Sequence, residues 1–208
     1  MIQHGPEGGS PLAALTFDDG PDPRYTPRVL QVLAQAGARA TFFLVAGKAQ
    51  QNPELVKAIA AAGHEVGSHG MDHRHAWLEW PWSVDRRIGR AAAILRRLSG
   101  QPVHYLRPPW GMFNAGTYPA GMRHHRGVVL WSCSAGDWNI RRQARDIAAT
   151  LEAGLKPGAI LVLHDSGGDP GAPEHTLAAL PAVLEAARRR GLKLVTVSEL
   201  VGQRRQST

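Results

Sequence analysis

Seven short apolar runs, most of them separated by segments of helical spacing, limit what this chain can fold into. The runs are Leu12–Phe17, Ala40–Val45, His64–Gly67, Val103–Arg107, Gly127–Ser132, Ala159–His164 and Leu192–Val197. Helix signals lie between them. Thr26-Pro27 reads as an N-cap with a first-turn proline, and Gly37 as the stop. Asn52-Pro53 opens a second helix that Gly63 ends. Ser83–Leu98 carries Val84, Ile88, Ala91, Ala92 and Leu95 on one stripe. Arg141–Leu155 and Thr176–Arg190 complete the set. Strands separated by helices imply a parallel sheet covered on its faces. Seven strands in 208 residues suit a small or distorted β/α barrel better than an open doubly wound sheet. The expected organisation is one catalytic domain over 12–201, with an N-terminal extension (1–11) and a C-terminal tail (202–208). The segment His69–Trp82 is too polar for core and reads as a long loop over one end.

Composition narrows the function classes. No stretch approaches the roughly 18 to 20 apolar residues of a transmembrane segment, and Met1–Ser10 lacks the pattern of a signal peptide. The net charge of +7 suits an anionic polymer, or simply solvated helix faces. No basic run is interleaved with aromatics as a single-strand groove requires, so no nucleic-acid partner is expected. Cys133 is the only cysteine, which excludes an internal disulfide and a thiolate zinc site. It reads as a small core residue.

The chemistry-bearing residues stand where strands end. Asp18 and Asp19 follow the first run, His69 and His73 the third, Arg107 the fourth, Asp137 the fifth and His164 the sixth. In a parallel β/α architecture all strand C-terminal ends open on one face, so these residues converge there. His69 and His73 are four apart, and one carboxylate would complete a set suited to zinc or a similar divalent ion. Gly70, where a zinc-protease helix has Glu, disfavours a metalloprotease. Asp18-Asp19 reads either as a capped polar turn or as a ligand beside a general base. His164 reads either as a core histidine or as a proton donor, its pKa raised by a neighbouring carboxylate.

Taken together, Thr16-Phe17-Asp18-Asp19-Gly20-Pro21, Ser68-His69-Gly70-Met71-Asp72-His73, Arg107-Pro108-Pro109-Trp110, Asp137-Trp138 and Leu161-Val162-Leu163-His164 resemble the polysaccharide deacetylases. These form the NodB-homology group of carbohydrate esterase family 4. The resemblance runs from about Leu12 to Leu200, with the motifs in the family's order. It implies a distorted seven-stranded β/α barrel and a zinc ion, with cobalt or nickel as alternatives. It implies Asp19, His69 and His73 as ligands, Asp18 as base and His164 as acid. Arg107 would orient Asp18, Asp137 would pair with Arg107, and the Trp110 N–H would hold the oxyanion. Trp138 and Leu161 would line the slot for the acetyl methyl. The implied substrate is an acetylated glycan such as peptidoglycan or chitin. The implied protein is a monomer working outside the membrane.

Three positions depart from the family pattern. Gly70 stands where a Ser or Thr hydroxyl is usual, Trp110 replaces Tyr, and Ser134 replaces an earlier Asp. Trp77, Trp80, Trp82 and Trp110 read as stacking walls for sugar rings, with a packed lid as the competing reading. His75 is a spare candidate ligand. Competing functions are deacylation of a lipid-linked sugar or small amide, and a catalytically weak carbohydrate-binding domain.

Overall fold

The computed structural model describes residues 1–6, 10–75 and 79–202. Its strands are β1 (Leu12–Asp18), β2 (Thr41–Leu44), β3 (Glu65–Ser68), β4 (Tyr105–Leu106), β5 (Gly127–Val128), β6 (Cys133–Ser134), β7 (Ile160–His164) and β8 (Lys193–Val195). They form one sheet in the order β5-β4-β3-β2-β1-β7-β6, every pairing parallel. The first half of β1 pairs with β8 through Leu12–Ala14, and its second half with β2 through Thr16–Asp18.

The expected β/α barrel architecture is present, with one difference in its strands. The run Gly127–Ser132 is split. Gly127 and Val128 pair with β4, and the chain then crosses to the opposite sheet edge, where Cys133 and Ser134 pair with β7. On the way, Val129 N–H donates to the Leu106 carbonyl at 2.8 Å and Ser132 N–H to the Ile160 carbonyl at 2.9 Å. The two sheet edges are thus joined by a crossing segment instead of a strand pair. Ile2 bridges Val129, so the N-terminal extension docks on this closure.

The helices are α1 (Thr26–Gln35), α2 (Ala46–Gln51), α3 (Pro53–Ala61), α4 (Pro81–Ser99), α5 (Thr117–His124), α6 (Ala144–Gly154), α7 (Ala172–Arg189) and α8 (Val197–Gly202). Among the described residues α2, α5 and α8 had no sequence signal. Thr26 is the first helical residue and not the cap. Its hydroxyl accepts from Asp22 N–H at 2.8 Å and donates to Asp165 Oδ2 at 2.5 Å.

Strand alternation divides the core in two. Ala13, Leu15, Phe17, Phe42, Leu44, Leu161 and Leu163 face outward and pack with the apolar faces of the helices. Ala14, Phe43, Ile160 and Val195 face inward with Tyr105 and Val129. Each fully buried Leu or Phe contributes about 1.5–3 kcal/mol relative to exposure. Cys133 is half-buried in β6 and packs against the outer layer. Among the described residues no helix is long and apolar enough to cross a membrane.

Candidate active site

The two adjacent carboxylates at the end of β1 diverge. Asp18 shares the inward face with Ala14 and Thr16 and is 2% exposed. Its Oδ1 accepts from Arg107 Nη1 at 2.7 Å. The same Nη1 reaches Thr16 Oγ1 at 2.7 Å, and Nη2 donates to the Leu130 carbonyl at 3.0 Å. The Arg107 guanidinium is fully buried and lies 4.1 Å from the Phe43 ring centroid. Burial pulls its pKa down, and the Asp18 charge opposes that. Such a pair is held by geometry because neither ion has water to fall back on.

Asp19 turns the other way, through a left-handed backbone (φ 71). Its Oδ1 lies 3.3 Å from His69 Nε2 and 2.9 Å from His73 Nε2. The three ligand-type atoms all lie within 4.8 Å of one another. His69 Nδ1 sits 2.8 Å from the Arg107 backbone carbonyl, which can only accept. Neutral His69 therefore carries its proton on Nδ1 and turns the Nε2 lone pair toward a carboxylate oxygen. Asp19 Oδ1 is buried and makes no well-directed hydrogen bond. A buried carboxylate oxygen facing Nε2 of neutral His69, with His73 Nε2 2.9 Å from the same oxygen, is a donor set that fits a divalent cation. Burial alone would raise the Asp19 pKa; when the His69 and His73 imidazoles carry protons and donate to it they outweigh burial and hold the carboxyl well below the usual range, so the cluster calls for positive charge, from protons or from a cation.

His164 ends β7, in register with Asp18 across the β1–β7 pairing. Its Nδ1 lies 2.9 Å from Asp137 Oδ1, and Asp137 Oδ2 accepts the His164 backbone N–H at 2.7 Å and the Thr176 hydroxyl at 2.9 Å. Burial works against the imidazolium, yet Asp137 prevails and the pKa rises to about 9. This corrects the expected Asp137–Arg107 pair. Asp137 follows β6, which neighbours β7, whereas Arg107 follows β4 on the other side of β1. Nor does the adjacent Asp165 charge His164. It is fully buried against Thr26, and burial pushes its pKa up to about 7.

Asp18, Asp19, His69, His73, Trp110, Trp138 and His164 line one cleft of about 370 Å³. Met112, Trp131, Val162 and Gly168 complete its walls. Carboxylates and imidazoles thus share the cleft with three tryptophan rings, Trp110, Trp131 and Trp138.

The family model "Polysaccharide deacetylase" matches residues 5–124, more than half of the chain. The chain belongs to the polysaccharide deacetylase family. A peptidoglycan-N-acetylglucosamine deacetylase of Bacillus cereus is 36% identical over 192 residues, covering 91% of this chain and 88% of that protein. A chitooligosaccharide deacetylase of Sinorhizobium fredii is 32% identical over 191 residues, covering 88% of each. Among solved structures, a peptidoglycan N-acetylglucosamine deacetylase in complex with an N-oxidanyl-benzamide superposes with a TM-score of 0.89 at 29% identity. It covers 97% of this chain and 92% of that one.

Against the family pattern, the three departures resolve differently. Gly70 has φ +85, where a side chain would be strained, and its N–H donates to Ser68 Oγ at 3.3 Å. The usual hydroxyl at this position is absent, and Ser68 ties the loop one turn earlier. Trp110 also has positive φ (55); its ring stacks on His75 at 3.7 Å and meets His73 edge-on at 4.2 Å. His75 is thus a stacking partner of Trp110 and stands outside the ligand cluster. Ser134 lies in β6, and its hydroxyl has no partner among the described residues.

Leu161 needs correction. It is fully buried in the outer layer, and Val162 lines the cleft. Since His164 faces inward, strand alternation sends Val162 inward and Leu161 outward. Trp80 and Trp82 are 68% and 63% exposed and stack on each other at 5.0 Å, so neither packs inward as a lid. Trp77 lies outside the described residues. Sequence reasoning gave no site role to Trp131, which opens the stretch ending in Asp137-Trp138, or to Met112, which carries no motif signal.

Proposed function

We propose that this chain hydrolyses the N-acetyl group of an amino-sugar glycan of the peptidoglycan or chitin type, with O-acetyl sugars as a secondary class. The observation that carries this reading is the cluster of Asp19, His69 and His73 flanked by two hydrogen-bonded pairs, Asp18–Arg107 and His164–Asp137. The names of the relatives support the substrate class.

In this reading Asp19, His69 and His73 hold one divalent cation, for which zinc is favoured by the imidazole and carboxylate donors. When bound, that ion polarises the acetyl carbonyl and lowers the pKa of a neighbouring water. Asp18 takes the proton of the attacking water, and Arg107 fixes the direction of the Asp18 carboxylate. The Trp110 backbone N–H donates to the oxygen that gains charge during attack. His164, kept protonated by Asp137, gives its proton to the departing sugar nitrogen. The products are acetate and the free amine. Trp138 and Val162 flank the acetyl methyl.

The test is acetate release from acetylated chitooligomers and peptidoglycan fragments, with and without chelator. Activity lost on chelation and restored by zinc is expected. Asp18→Asn should lower turnover by about 100-fold or more while zinc still binds. Chelator-resistant acetate release, or a fully active Asp18→Asn protein, would refute the reading.

A further inference from the structure

Four consecutive residues at the start of α2 each donate to a loop that carries a ligand of the candidate metal centre. Val45 N–H donates to the Gly20 carbonyl at 2.9 Å, Ala46 N–H to the Gly70 carbonyl at 3.0 Å and Gly47 N–H to the Met71 carbonyl at 2.9 Å. The Lys48 side chain donates from Nζ to the Asp19 carbonyl at 2.8 Å. The same ammonium reaches Ser166 Oγ at 2.9 Å, on the loop that follows His164.

These loops are backbone-strained. Asp19 (φ 71) and His73 (φ 47) are non-glycine residues in the left-handed region. Such conformations persist only where the surroundings over-determine them. The α2 start is one such surrounding, because it grips the Asp19 loop and the His69–His73 loop at once. Gly47 favours the close approach, since a Cβ there would stand 3.0 Å from the Met71 carbonyl oxygen, tighter than ordinary contact, and the ligand loop would have to yield. An ammonium is suited to the Lys48 place, because one Nζ can donate to both a carbonyl and a hydroxyl.

We propose that the segment Val45–Lys48 is a brace that sets the spacing of the Asp19 carboxylate from the His69 and His73 imidazoles, with Lys48 as its positioning side chain. The inference rests on the reading of these three residues as ligands of a divalent cation. Lys48 acts through Asp19 and touches neither substrate nor ion. If it served only to satisfy Ser166, its removal would leave the ion's affinity unchanged.

Equilibrium zinc binding by competition with a chromophoric chelator tests this, with thermal unfolding of the metal-free protein followed in parallel. Lys48→Met and Gly47→Ala should each weaken zinc binding by about 10- to 100-fold, the usual cost of losing a group that orients a ligand. Lys48→Arg should recover part of the loss. Wild-type protein that binds no zinc would defeat the metal reading itself. Tight wild-type binding with unchanged affinity in both variants would overturn the brace alone. If Lys48→Met fails to fold, Gly47→Ala decides by the same criterion.

Discussion

His164 Nδ1 and Asp137 Oδ1 stand 2.9 Å apart, and the second Asp137 oxygen holds the His164 backbone N–H at 2.7 Å. The imidazole is fixed in orientation and in charge by the same carboxylate. With burial opposing and Asp137 prevailing, its pKa is raised to about 9. The folded value exceeds the unfolded one of about 6.5. The associated stability is therefore complete below about 6.5 and is lost as pH climbs through 9. As a proton donor His164 should sustain kcat/KM into alkaline solution, with the descending limb near 9. Asp137→Asn removes the main stabilising charge and should move that limb down by at least about one unit. A pH–rate profile in which the limb stays where it was would exclude Asp137 as the cause.

Arg107 is the largest fully buried side chain among the described residues and pairs with Asp18, itself 2% exposed. Removing one ion of a buried pair leaves the other uncompensated, which typically costs about 3–5 kcal/mol. Arg107→Met should lose stability on that scale in urea unfolding. Adding Asp18→Asn to Arg107→Met should recover part of the loss, because the orphaned charge is gone. Strict additivity in the double-mutant cycle would mean that the two side chains are not coupled.

How far the sequence could be read depends on whether a signal was local. β1 and β7 were legible because both of their faces are buried, which leaves long apolar runs. The convergence of Asp18, Asp19, His69, His73, Arg107 and His164 followed from strand ends sharing one face. The split of the fifth run was hidden, since Val128–Trp131 is apolar without a break and only non-local pairing divides the run. The carboxylate that charges His164 had no name in the sequence, and Asp137 was assigned to Arg107, for the same reason. Asp165 is adjacent in sequence, but it points to Thr26 of α1, whereas Asp137 arrives from β6. The start of α2 was invisible because a six-residue helix has no room for an apolar stripe. Leu161 is a different case, for alternation counted back from His164 already excluded it from the cleft.

That alternation separates two neighbouring residues experimentally. Leu161→Ala empties a fully buried outer-layer site and should cost about 2–5 kcal/mol of stability, with KM for chitooligomers unchanged. Val162→Phe should obstruct the cleft that Val162 lines, raising KM or abolishing turnover. The comparison needs unfolding curves and steady-state kinetics on both proteins. A Leu161→Ala protein with altered KM and native stability would reverse the assignment.

Gly70 offers a test of whether the usual hydroxyl of the family would help this chain. Its φ of +85 is a conformation that L side chains rarely adopt, while the space around it is open, the nearest contact of an added Cβ being Pro109 Cδ at 4.0 Å. Strain, not collision, therefore opposes substitution. Gly70→Ser should cost about 1–2 kcal/mol, the penalty of a left-handed side-chain-bearing residue. Part of that cost should appear as weaker zinc binding, because Gly70 lies between His69 and His73 and its carbonyl is held by Ala46 N–H. Gly70→Ala carries the same strain without the hydroxyl and should behave alike. If Gly70→Ser binds zinc more tightly than Gly70→Ala by tenfold or more, the serine hydroxyl has found a partner in the loop, and backbone strain is not the deciding term.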